Sequence, residues 1–135
     1  MATNFIRWAP ALVWAIALPV VAHSTDPNGA VSKQVSTATA HAALALGAAD
    51  LKMTQVHLHH VINCLVGPAG EGYDATQDNP CKGMGQGAMV DAKGDSTRES
   101  QLQAAVAEAT QGIKAATVGE AHADAQKVLS TLQAK

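Results

Sequence analysis

The apolar stripes of this chain are built from alanine, valine and leucine, which restricts its fold more than any other feature. The sequence holds two tryptophans, one phenylalanine and one tyrosine. Phe5, Trp8 and Trp14 all fall within the first 24 residues, so the remainder has Tyr73 as its one aromatic side chain. A core of such small aliphatic groups fills only if the elements that carry them approach closely.

The spacing of those groups is helical. From Ala30 to Leu46, Val31, Val35, Ala38, Ala42 and Ala45 recur every three or four residues. Gly47 is a stop and Asp50 an N-cap for the next segment. From Leu51 to Val66 the apolar positions are Met53, Leu58, Val61 and Leu65, with Lys52, Gln55, His59 and Asn63 on the opposite, solvated face. Gly67-Pro68 ends that segment. A third stripe, Leu102, Ala105, Val106 and Ala109, follows a cap at Ser96 or Thr97. After Gly112, Val118, Ala121, Ala125, Val128, Leu129 and Leu132 make a fourth stripe, opposite Glu120, Asp124, Lys127 and Thr131.

These patterns predict helices over 31–48, 50–66, 98–112 and 114–133. The fold class is all-α: a four-helix up-and-down bundle of two helical hairpins, with a Gly-rich loop over 67–96 between them. Thr25 to Gly29 is expected to be a polar linker. The two halves also look alike. A shift of 65 residues lays Ala42 on Ala107, Gly47 on Gly112 and His57 on His122.

The first 24 residues read as a secretory signal peptide, with one cation at Arg7, an uncharged run from Trp8 to Val21 and a small-residue end. That run is shorter than the ~20 residues a spanning helix needs. Residues 25–135 are then a single helical domain, periplasmic or secreted, with no stable membrane insertion. Without Arg7, the remaining eight cations face eleven acids and form no basic run, which argues against a nucleic-acid partner. Two cysteines in an exported chain predict a Cys64–Cys81 disulfide that pins the loop, worth roughly 3 kcal/mol in the chain-entropy model. The competing reading makes Cys64 a thiolate ligand beside His60.

Chemistry concentrates in His57-Leu58-His59-His60-Val61-Ile62-Asn63-Cys64. His57 and His60 share one stripe of the second helix, whereas His59 points away from it. The repeat places His122 where it faces His57 across the bundle, and His41 borders the first apolar stripe. Neutral imidazoles bind first-row transition metals, so His57, His60, His122 and His41 form a candidate site for copper or zinc. Met53, Met84 and Met89 are candidate soft ligands for copper. Non-covalent haem between His57 and His122 is a further reading, against which stands the lack of large side chains to wall a porphyrin. No catalytic constellation emerges: a paired Cys64 cannot act as a nucleophile, and the glycines of Gly83-Met84-Gly85-Gln86-Gly87 follow no strand. The expectation is an exported metal-handling or metal-sensing protein rather than an enzyme. The alternative is a structural or protein-interaction module that meets its partner through the 67–96 loop.

Overall fold

A computed structural model describes residues 27–135, and the expected signal peptide lies outside them. The described chain is all-helical, without strands: α1 Pro27–Gly47, α2 Leu51–Val66, α3 Ala88–Asp91, α4 Ser96–Ile113 and α5 Val118–Gln133. Each of the four longer helices has two principal neighbours, in the closed circuit α1–α2–α4–α5–α1. No described helix is long and apolar enough to cross a membrane.

The alanine stripes close the circuit. Ala38, Ala42 and Ala45 of α1 and Ala105 and Ala109 of α4 are wholly buried, as are Leu58, Val61 and Leu65 of α2 and Ala121, Ala125 and Val128 of α5. A methyl group is nearly all each alanine contributes, so the helix backbones come close and the larger α2 residues fill the space between them. Met53, placed on the apolar face by its spacing, is 47% exposed, and Thr54 takes the interior position instead. The Thr54 hydroxyl is satisfied within the helix by donating to the Asp50 carbonyl at 2.9 Å.

The helix ends follow capping chemistry. Asp50 accepts from the Met53 amide at 2.8 Å. The cap of α4 is Asp95, not Ser96 or Thr97, and it accepts from the Arg98 amide at 3.0 Å. A carboxylate one residue upstream serves the same exposed amides and adds charge at the positive helix end. The expected linker over 25–29 is instead partly helix. Pro27 opens α1, a first-turn position where its missing N–H costs nothing. The last helix begins at Val118 rather than 114 because Thr117 and Glu120 form a capping box. Replacing Thr117 by alanine should cost about 1 kcal/mol. A urea titration would show this as a lower midpoint at unchanged slope.

The segment between α2 and α4, expected as a disulfide-pinned loop over 67–96, also contains α3 and is fastened at several further points. Cys64 and Cys81 are disulfide-bonded with Cα atoms 5.1 Å apart. The buried Asn63 donates to the carbonyls of Asp74 at 2.9 Å and Asp78 at 3.1 Å, and accepts from the Asp74 amide at 2.9 Å. The buried Gln34 of α1 accepts from the Gly87 amide at 2.9 Å and donates to the Asp91 carboxylate at 2.7 Å. Gly67 and Gly87 lie back to back, each at positive φ. A Cβ on Gly87 would stand 2.6 Å from the Val66 carbonyl carbon, so this crossing admits only glycine.

The internal repeat is real in the buried positions, but its offset is 67 residues rather than 65. That offset carries Asp50 onto Thr117, both N-caps, and α2 onto α5, each 16 residues long. It also lays the buried Ala38, Ala42 and Ala45 on Ala105, Ala109 and Gly112. The packing partners follow the same exchange: α1 meets α2 and α5 as α4 meets α5 and α2.

Candidate metal centre

His41, His57 and His60 form one group. One ligand nitrogen from each lies within 4.8 Å of the other two. His41 comes from α1, and His57 and His60 stand one turn apart on α2. Each immediately precedes a buried residue, respectively Ala42, Leu58 and Val61. A residue one step from the buried stripe is rotated about 100° from it, which puts all three imidazoles on the rim of the α1–α2 seam. The alanines of α1 keep that seam narrow enough for rings from both helices to meet. The His41 ring centroid lies 5.4 Å from that of His57 and 4.9 Å from that of His60.

The contacts are between nitrogens. Nδ1 of His41 is 3.2 Å from Nδ1 of His57 and 3.3 Å from Nδ1 of His60. A neutral imidazole nitrogen either carries one hydrogen or offers one lone pair. The single Nδ1 of His41 therefore cannot complete both contacts as well-aligned hydrogen bonds. A cation between the three nitrogens satisfies all of them together, so the group can hold a metal ion.

The electrostatics favour the ligand form of two rings. Burial lowers the pKa of His41, and the nearby His60 and His57 lower it further. For His60, burial again lowers the pKa most, followed by His57, and the Asp78 carboxylate works in the opposite direction. Both rings are thereby biased toward the neutral form, whose lone pair a metal needs.

His122 does not belong to this group. Its Nε2 is 3.0 Å from the carbonyl of Ala48 in the α1–α2 turn. A carbonyl only accepts, so Nε2 carries the hydrogen and donates it. At the 67-residue offset the counterpart of His122 is Gln55, which donates to the Ala115 carbonyl at 3.2 Å and the Ile113 carbonyl at 3.0 Å. Ala115 is in turn the counterpart of Ala48. Each hairpin thus reaches with one side chain for the turn of the other, and His122 is a clasp. The shared site with His57 is corrected accordingly, and with it the axial pair that haem required. The error was one of register, because two residues on a helix turn a side chain by about 200°.

The other candidates are also placed. The Met84 sulfur accepts from the Thr37 hydroxyl at 3.6 Å, Met89 packs against the core and Met53 is exposed. His59, expected to be solvated, is half-buried with Nδ1 3.6 Å from the Asp74 carboxylate. Cys64 is in the disulfide, so the thiolate-ligand reading lapses. Asn63, assigned to the solvated face, is wholly buried and organises the loop. Its place beside Cys64, the other anchor of that loop, was the one sequence signal for this role.

The counterparts of the three histidines are Glu108, Asp124 and Lys127. There the Lys127 ammonium lies 2.8 Å from the Asp124 carboxylate. That hydrogen bond raises the pKa of Lys127, and Glu108 adds a smaller contribution of the same sign. Comparisons with protein families, characterised proteins and solved structures give no match.

Proposed function

We propose that this protein is an exported four-helix up-and-down bundle that holds one zinc or copper ion through His41, His57 and His60. Its role is metal handling or sensing, by binding rather than catalysis. The observation that carries the reading is the spacing of the nitrogens. Metal–nitrogen bonds of about 2.0–2.1 Å at a tetrahedral angle separate neighbouring ligand nitrogens by about 3.3–3.4 Å. The contacts at 3.2 Å and 3.3 Å already match that edge before any ion is added. A donor set of three imidazoles without sulfur suits zinc(II) or copper(II), and copper(II) binds the more tightly of the two in the usual order of affinities.

The circuit of helix neighbours supports the bundle reading. The Cys64–Cys81 disulfide supports an oxidising compartment, consistent with the leader expected over residues 1–24.

Equilibrium dialysis of the full chain, freed of metal and carrying no His-tag, tests the proposal. One ion per chain is expected. His41→Ala, His57→Ala and His60→Ala should each weaken binding by about 100-fold or more, since direct ligands matter at least as much as their supports. His122→Ala should leave affinity unchanged, with circular dichroism verifying that each variant folds. A wild type that binds no ion, or binding lost equally in His122→Ala, would refute the reading. The 67–96 loop as a protein-interaction surface would then be the better proposal.

A further inference from the structure

Three imidazoles leave a tetrahedral ion one coordination position. Beside the group lies a cavity of about 550 Å³ of which His60 forms one wall, within the usual size range of small-molecule sites. The rest of its lining comes from the loop and includes Tyr73, Asp78, Pro80 and Lys82. That lining is fixed in place. Cys81, between Pro80 and Lys82, is bridged to Cys64, about one helical turn beyond His60. Asn63 grips the same stretch through the carbonyls of Asp74 and Asp78.

The charges also select a class of ligand. With neutral imidazoles, a divalent ion, the Asp78 carboxylate and the Lys82 ammonium leave the site net positive. Pro80 and the Tyr73 ring offer apolar surface next to those charges. We infer that the cavity receives a small organic carboxylate. One of its oxygens takes the fourth position on the ion in place of water, Lys82 pairs with its charge, and Pro80 and Tyr73 cover its hydrocarbon part. This inference rests on the metal reading above.

Cobalt(II) reports its own coordination through its visible spectrum, so the full chain loaded with cobalt and titrated with sodium acetate provides the test. The spectrum should change and saturate as acetate is added. Lys82→Met should need about fivefold more acetate for the same change, the most that an exposed ion pair contributes. Cobalt stoichiometry should stay the same in that variant. One bound cobalt with a spectrum unmoved by acetate would overturn this inference and leave the metal site standing. An identical acetate response in Lys82→Met would remove the cavity from the account. Failure to bind cobalt at all would overturn both readings.

Discussion

Zinc at a thousand times its dissociation constant should raise the thermal midpoint of this protein by about 15 °C or more. A ligand that binds only the folded state at that excess stabilises it by about 4 kcal/mol. In a domain of this size each kcal/mol is worth several degrees. The gain would arise because the proposed ion joins α1 to α2 through His41 and His57, nitrogens that unfolding must separate. His57→Ala, binding about 100-fold or more weakly, should cut the response to about a third or less, and His122→Ala should retain it in full. The gain should also fade on acidification. His41 and His60 have folded-state pKa values below the ordinary histidine value. The unfolded chain therefore takes up protons first as the pH falls through about 6.5. The stability these two groups contribute is complete above that pH and is lost progressively below it. Metal binding fails over the same range, because protons and the ion compete for the same lone pairs. Scanning calorimetry with and without zinc at pH 7.5 and pH 5 measures both effects. A midpoint indifferent to zinc at pH 7.5 would contradict the assignment.

Asn63→Leu should cost about 2–4 kcal/mol, although leucine keeps the branching and the heavy-atom count of asparagine. The loss comes from what the amide leaves behind. The carbonyls of Asp74 and Asp78 and the amide of Asp74 lose their partner together. Buried polar groups left unpaired cost about 1–3 kcal/mol each, reduced where water can reach them from the loop surface. The disulfide still tethers the loop in this variant, so the damage should be local as well as global. Hydrogen exchange should show lost protection around residues 74–81 well before the helices open. A denaturation midpoint matching the wild type would show that the Asn63 bonds do not hold the loop.

Asn63 also marks where the sequence becomes hard to read. The helices were legible because alanine and leucine stripes report burial through local spacing, as Ala38, Ala42 and Ala45 do. The Asp50 cap, the Gly67 stop and the disulfide partners were legible for the same reason, since each depends on neighbours or on chemistry with few alternatives. Asn63 and Gln34 bond instead to backbone groups in a segment with no periodicity, so nothing local announced their burial. His57, His60 and His41 were recognisable as candidates by residue type. Their assembly was not, because it depends on how closely α1 and α2 approach. His122 was misassigned when glycines and alanines set the register of the repeat. In a chain this rich in alanine those residues align at many offsets, whereas the caps Asp50 and Thr117 align at one.

The two hairpins treat the same three positions in different ways. In the second, Lys127 brings a positive charge to Asp124 with Glu108 nearby, and that charge is encoded in the chain. In the first, His41, His57 and His60 gather their nitrogens and, on the function proposed above, would leave the positive charge to be recruited from the surroundings. One half of the molecule is therefore self-sufficient and the other half conditional. On that reading the α1–α2 seam keeps its packing without the ion, and a metal would add only charge to a frame that is already set.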